Sequence, residues 1–284
     1  MGGEERKKTD GDRMDKISTI GFIGAGNMGG AIIRGLLSRG AVRSGDVTVA
    51  DSRAEALDAL RDDFPGIRTV TDNVEAAKAS ILVLAVKPGS YESVIAGIRD
   101  EVSAETIVVT IAAGVTLAAA SGWFGGRDKI VRTMPNTPAM VLEGMTALCP
   151  GAGVDEKELA RVKAVFDAVG KTVVIPEKLM DAYTSLAGSS PAWVFMFLEA
   201  LADGAVREGI PRDTAYAVAA QAVLGSARLA AESGVHPGEL KDRVCSPGGT
   251  TIEAVATLEE AGFRSAIIRA VADCTTKARE LGGK

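Results

Sequence analysis

The stretch that most constrains this chain is Thr19-Ile20-Gly21-Phe22-Ile23-Gly24-Ala25-Gly26-Asn27-Met28-Gly29-Gly30-Ala31-Ile32-Ile33-Arg34. It reads as a short apolar strand, a glycine turn and an amphipathic helix. Gly24, Gly26 and Gly29 have the G-x-G-x-x-G spacing of a dinucleotide-binding turn. Gly24 permits a tight turn off the strand, Gly26 lets a pyrophosphate approach the backbone, and Gly29 lets helix and strand pack closely. The helix N-terminus adds unpaired N–H groups and a partial positive charge. A second apolar run, Val47-Thr48-Val49-Ala50, ends in Asp51. That is about 20 residues on, where an acidic side chain would meet an adenosine ribose. The same pattern also suits an ordinary strand–turn–helix connection that only needs small residues.

Strand and helix patterns then alternate. Helical spacing covers 53–64, 74–79, 91–101 and 155–169. Short apolar strands are expected at 67–70, 81–86, 106–112, 129–133 and 171–175. The continuous run Ile81-Leu82-Val83-Leu84-Ala85-Val86 suits a strand buried on both faces of a parallel sheet. It ends in Lys87-Pro88-Gly89, and 106–112 ends in Ala113-Gly114. Such carboxyl ends are where open α/β sheets hold ligands. The pattern predicts an α/β domain over 16–176 with a doubly wound, mostly parallel, Rossmann-type sheet.

After Pro176 no convincing strand follows. Alanine-rich helical stretches are expected at 177–187, 191–208, 212–233, 250–260 and 263–281, giving an all-α domain over 177–284. Helices this apolar on every side are normally buried. In a domain of this size that suggests burial against a second subunit, with a compact monomeric bundle as the alternative. Residues 1–15 are charged and glycine-containing with no apolar segment. They read as a disordered leader or an appended extension, with Met14 as an alternative start.

Composition excludes several classes. A chain of 284 residues suggests two domains, and 46% hydrophobic with 24% charged residues is ordinary for a globular protein. A net charge of −5 argues against a nucleic-acid partner. No apolar run reaches the roughly 18 residues of a membrane span. Cys149, Cys245 and Cys274, odd in number and widely spaced, suggest neither a disulfide framework nor a metal site. They fit a reducing, cytoplasmic setting. The one histidine, His236, stands beside Pro237, so a Ser-His-Asp or Cys-His mechanism would have to run through it.

Three further segments could carry chemistry. In Arg132-Thr133-Met134-Pro135-Asn136-Thr137-Pro138, two prolines fix an extended backbone past a strand end, which suits a site lining or a shaped connector. In Gly188-Ser189-Ser190-Pro191-Ala192, small polar residues precede a proline that opens a helix. In Ser246-Pro247-Gly248-Gly249-Thr250-Thr251, a Gly-Gly turn runs into a helix, and its free amides and hydroxyls form a concave donor surface for a carboxylate. A helix stop followed by an N-cap would look alike. No paired carboxylates stand near these segments, which favours a cofactor that carries the chemistry while the protein orients.

Taken together, these motifs resemble pyrroline-5-carboxylate reductase over 16–281. The resemblance rests on Gly21-Phe22-Ile23-Gly24-Ala25-Gly26-Asn27-Met28, Ala85-Val86-Lys87-Pro88, the Arg132–Pro138 and Gly188–Ala192 segments, and above all on Ser246–Thr251 with His236-Pro237-Gly238 upstream. It implies NAD(P)H-dependent reduction of the cyclic imine 1-pyrroline-5-carboxylate to L-proline, by hydride transfer to the C=N carbon. It places the cofactor on Gly24, Ala25, Gly26, Asn27 and Met28 and on Ala85, Val86, Lys87 and Pro88. Asp51, Ser52, Arg53, Asn73, Ala112, Ala113, Gly114 and Asn136 complete the expected cofactor set. The substrate is expected on Ser246, Gly248, Gly249, Thr250, Thr251 and Pro191, with Thr251 and Ser246 catalytic and Thr251 contacting the ring nitrogen.

No metal is expected. Asp51 would repel a 2′-phosphate and favour NADH, whereas Ser52 and Arg53 could accept one, so NADPH is expected with NADH possible. The chain departs from the family's Gly-Ser-Gly-Pro in carrying Ser190 before Pro191. A homo-oligomer is expected, a dimer or a decamer of dimers. The competing readings are a β-hydroxyacid dehydrogenase, for which no Lys-x-x-x-Asn occurs after Lys178, and a non-catalytic NAD(P)-binding sensor.

Overall fold

The computed structural model describes residues 18–282, so the expected leader at 1–15 lies outside the described residues. Strands and helices alternate as β1 (Ile20–Ile23), α1 (Asn27–Ser38), β2 (Val47–Ala50), α2 (Ala54–Asp63), β3 (Arg68–Val70), α3 (Asn73–Ala77), β4 (Ile81–Leu84), α4 (Tyr91–Ile98), β5 (Ile107–Thr110) and α5 (Leu117–Trp123). Then come β6 (Ile130–Met134), β7 (Gly144–Pro150), α6 (Glu156–Asp167) and β8 (Gly170–Val174).

The eight strands form one sheet in the order β3-β2-β1-β4-β5-β6-β7-β8. All neighbours are parallel except β6 and β7. The order reverses direction at β1, between β2 and β4, which opens a crevice at the carboxyl ends of β1 and β4. The expected doubly wound, mostly parallel sheet is therefore present. The sequence reading did not foresee β7, α5 or the helix Pro237–Val244. β7 is bounded by Gly144 and Pro150 and reads as a loop locally; long-range pairing to β6 and β8 makes it a strand.

Alternation along the strands builds two apolar layers. Ile20, Phe22, Val47, Val49, Ile81 and Val83 meet α1, α2 and α6 on one face. Ile23, Ala50, Leu82, Leu84 and Val108 meet α3, α4 and α5 on the other. The central strands β1, β4 and β5 are buried on both sides, which is why they read as unbroken apolar runs, whereas the edge strands β3 and β8 are partly exposed.

From Glu177 the chain is helical throughout. A 3₁₀ turn (Glu177–Leu179), α7 (Met180–Tyr183) and a π-helical turn (Thr184–Ser189) lead into α8 (Ser190–Arg207). Then follow α9 (Arg212–Ser233), α10 (Pro237–Val244), α11 (Thr250–Glu260) and α12 (Phe263–Gly282). The chain divides into two compact units. One runs to Gly188 and takes in the chain's end from Thr275; the other is Ser189–Cys274. The stretch before Gly188 is fastened to the sheet. Buried Arg132 of β6 donates to Glu177 (2.9 Å), and Glu177 also accepts the Leu117 amide (2.7 Å). No helix among the described residues is long and apolar enough to cross a membrane.

Candidate functional site

The glycine turn sits at the carboxyl end of β1, and each glycine has a separate reason. Gly24 has φ +103°, and a Cβ there would lie 2.6 Å from the Ala85 carbonyl oxygen. Its amide donates to Ala50 (2.8 Å), so the turn is pinned between the ends of β2 and β4. A Cβ on Gly29 would run into the Gly24 carbonyl and come within 3.0 Å of Ala85 Cβ. Gly26 differs. A Cβ there would meet only Arg53 Nη2, at 4.0 Å, so this position faces open space. Gly26 is also the N-cap of α1 and supplies no side-chain cap. The first amides of α1 are thus available to an anion beside a glycine that leaves room for it. The turn fits a dinucleotide diphosphate. Next to it an open cleft of about 420 Å³ is lined by Gly26, Asn27, Arg34, Arg53, Leu60 and Met140 among others.

Asp51 follows β2 and has an 8% exposed side chain. Its oxygens accept the Ala25 amide (2.7 Å), the Arg53 amide (2.9 Å) and two guanidinium nitrogens of Arg53 (3.2 Å each). Burial pushes its pKa up, but the Arg53 side chain and the two amides outweigh burial and hold the carboxyl below its usual range. Asp51 therefore clamps the glycine turn, and the Arg53 guanidinium covers its charge. Arg53 itself is 58% exposed, and Ser52 is exposed beside it. Asn73 opens α3 just past β3, the strand paired with β2, behind an N-cap made by Asp72 accepting the Val74 amide (3.0 Å).

At the end of β4, Ala85 donates to Ile23 (2.8 Å), and Val86 is half-buried. Lys87 and Pro88 are exposed; the Lys87 ammonium has no bonding partner among the described residues. At the end of β5, Ala112 is buried, Ala113 is exposed and Gly114 turns the chain with φ +79°. Asn136 is buried with both amide ends engaged. It accepts the Met145 amide (2.8 Å) and donates to the Ala187 carbonyl of the π turn (3.0 Å). Sequence reasoning missed the supporting role of Arg132. The available signal was a charged residue inside the apolar strand Ile130-Val131-Arg132-Thr133, which must find a partner when buried.

The second unit carries the other expected site residues. Pro191 lies at the first turn of α8. Ser246-Pro247-Gly248-Gly249 is a tight turn closed by Gly249 N–H to Ser246 C=O (3.1 Å), with Gly248 at φ +67°. Proline followed by a positive-φ glycine is the pattern of a type II turn. A Cβ on Gly249 would strike the Ser246 hydroxyl. Gly249 is the N-cap of α11 and provides no side chain, so nothing caps the amides of the first turn. Thr250 is exposed and Thr251 half-buried at its start.

The remaining candidates have structural tasks. His236 Nδ1 accepts the Gly238 amide (3.1 Å) and caps α10. The three cysteines are free; burial, with Glu177 nearby, pushes the Cys149 thiol above its ordinary pKa, away from thiolate chemistry. Among the described residues no cluster of His, Cys, Asp or Glu could hold a metal ion.

Two family models match the chain. One is described as pyrroline-5-carboxylate reductase dimerisation and covers residues 177–281. The other is NADP oxidoreductase, coenzyme F420-dependent, over residues 19–114. The chain is 48% identical to the pyrroline-5-carboxylate reductase of Escherichia coli (strain K12), over 92% of this chain and 97% of that one. Among solved structures it is similar to a pyrroline-5-carboxylate reductase from Coxiella burnetii, with TM-score 0.88 and 34% identity over 93% of this chain and 98% of that one. It is also similar to a Plasmodium falciparum pyrroline carboxylate reductase with NADP bound, with TM-score 0.85 and 28% identity over 95% of this chain and 99% of that one.

Proposed function

We propose how this chain works from one premise: it belongs to the pyrroline-5-carboxylate reductase family, and it reduces 1-pyrroline-5-carboxylate to L-proline with NAD(P)H. Gly24, Ala25, Gly26, Asn27 and Met28 hold the cofactor diphosphate at the start of α1. Ser52, Arg53 and Asn73 receive the adenosine end. Because Arg53 neutralises Asp51 and still exposes its guanidinium, a 2′-phosphate is accepted there, which supports NADPH over NADH. Ala85, Val86, Lys87 and Pro88, with Ala112, Ala113, Gly114 and Asn136, border the nicotinamide end. When bound, NAD(P)H supplies the hydride that turns the imine C=N into CH–NH.

The observation that carries the substrate assignment is the uncapped helix start at Gly249. Its first-turn amides and the Ser246 and Thr250 hydroxyls bind the substrate carboxylate, and Pro191 walls the apolar ring. The Thr251 hydroxyl donates to or accepts from the ring nitrogen, orients the imine and assists its protonation. Holding the reacting carbon in a near-attack pose is the protein's main contribution. The test follows NAD(P)H oxidation spectrophotometrically with 1-pyrroline-5-carboxylate. Thr251→Ala is expected to lower kcat by about a hundredfold with NADPH affinity unchanged. Unchanged kinetics would remove Thr251 from the mechanism.

The chain works as a homo-oligomer built on the helices of Ser189–Cys274, a dimer that could assemble further into a decamer of dimers. The apolar residues these helices leave uncovered support that reading. Light scattering in solution measures the state directly. The free cysteines are compatible with a cytoplasmic setting.

A further inference from the structure

Parallel strands exchange backbone bonds with a two-residue period. Between β4 and β5, Ile81 is level with Ile107 and Leu84 with Thr110. Ile107 N–H donates to Ser80 C=O (3.0 Å). The same period puts a later rung at Ile111 N–H to Leu84 C=O. That rung is not formed. The Tyr91 hydroxyl stands in its place, donating to the Leu84 carbonyl and accepting the Ile111 amide (3.2 Å). On its other edge β4 keeps a direct rung at the same level, Ala85 N–H to Ile23 C=O (2.8 Å). β4 therefore stays joined to β1 and parts from β5, with one oxygen wedged between.

The wedge is held firmly. Tyr91 is wholly buried at the first position of α4, within the apolar layer of Leu84, Ile95 and Ile98. Its ring lies 6.5 Å from the Trp123 ring. Burial pushes the phenol's pKa well above its ordinary value, so the hydroxyl keeps the proton it donates. Past the wedge the β4–β5 pairing has ended at Leu84 and Thr110, and the segments that follow are 85–88 and 112–114.

We propose that Tyr91 is a positioning residue for the nicotinamide end of the cofactor site: its hydroxyl replaces a sheet rung and keeps 85–88 and 112–114 apart at the width the nicotinamide needs. The inference rests on the assignment of those two segments to the cofactor. Nothing but a hydroxyl on a ring of this reach fills the role. Phenylalanine packs the same but leaves the Leu84 carbonyl and Ile111 amide either unpaired or free to join directly, which closes the gap.

The test compares wild type with Tyr91→Phe, binding NADPH and, separately, 2′,5′-ADP, which lacks the nicotinamide half. Tyr91→Phe is expected to weaken NADPH about tenfold and to leave 2′,5′-ADP within about twofold. Equal weakening of both ligands, or no change in either, overturns the proposal. Ile95→Val, which loosens the same helix but keeps the hydroxyl, controls for packing; it should leave both affinities unchanged, and a selective NADPH loss from it would also overturn the proposal.

A second measurement needs no variant at position 91. The sequence has three tyrosines, so 3-fluorotyrosine labelling gives three fluorine resonances, assigned with Tyr183→Phe and Tyr216→Phe. The Tyr91 resonance should move on adding NADPH and stay still with 2′,5′-ADP; no movement with NADPH overturns the wedge's role. Failure of wild type to bind NADPH at all would instead overturn the cofactor assignment beneath it.

Discussion

The two compact units hold similar side chains and use them differently. In the sheet unit Ile20, Phe22, Ile32 and Leu36 are fully buried, and helices cover both faces. In Ser189–Cys274 the buried apolar side chains among the described residues are Ala202, Ala215 and Ala219. Phe195 is 63% exposed, Met196 68%, Leu224 57% and Ile268 69%. A two-faced sheet with a helix layer on each side closes its own core. A few small-residue helices cannot, and they leave a large apolar surface of the kind that marks an association site. The first unit fills its own sheet core; the second leaves most of its large apolar side chains uncovered.

The largest effects should come from breaking each unit at its own weak point. Phe22→Ala opens a cavity in a fully packed layer and should cost about 3–5 kcal/mol. Its melting temperature should fall equally at every protein concentration, because the lost contacts are internal. Phe195→Glu with Met196→Glu should instead dissociate the oligomer. Light scattering should report the smaller species, and melting of wild type, but not of this variant, should rise with concentration. NADPH affinity of the dissociated variant should stay within about twofold of wild type, since Gly26, Asp51 and Arg53 all belong to the sheet unit. Loss of cofactor binding on dissociation would end the claim that the first unit is self-sufficient.

The same contrast explains what the sequence made legible. The central parallel strands were readable because burial on both faces writes unbroken apolar runs such as Ile81-Leu82-Val83-Leu84. The roles of Gly24 and Gly29 followed from the need for close backbone approach, and a Cβ at these positions would strike the Ala85 and Gly24 carbonyls. β7 was not readable, because its strand state comes from partners far along the chain rather than from its own pattern. The Asp51 carboxylate was assigned by spacing alone; that it clamps Ala25 and lies under Arg53 depends on side-chain directions that spacing does not carry. The Tyr91 wedge was invisible for the same reason. The helices after Pro176 were legible as helices, except the short Pro237–Val244, and their all-round apolar character already pointed to a missing partner.

A smaller effect sharpens the chemistry of the sheet unit. Arg53→Ala removes the exposed guanidinium beside Gly26 and uncovers the Asp51 carboxylate. NADPH should weaken by about tenfold, from a lost charge-assisted contact and a regained repulsion, while NADH should change by less than about twofold. Equal loss for both cofactors would mean that Arg53 does not read the 2′-phosphate.

The smallest effect separates the units by pH. The folded state holds Asp51 below the pKa of a free carboxyl. Its contribution to stability is therefore fully present above the unfolded-state pKa and is lost as pH falls through the lower folded value. In Ser189–Cys274 the ion pairs lie between exposed side chains, such as Arg212 and Asp203 at 44% and 62%, and pairs of that kind contribute little. Asp51→Asn keeps one carbonyl acceptor for the Ala25 amide but cannot titrate. It should cost about 1.5 kcal/mol at neutral pH, the lower end for losing a charged hydrogen-bond acceptor. Below the folded pKa of Asp51 the difference from wild type should vanish, because the wild-type carboxyl is then neutral too. Urea unfolding at neutral pH and in the acid range measures both limits; a gap that persists in acid would mean that Asp51 acts through packing rather than charge.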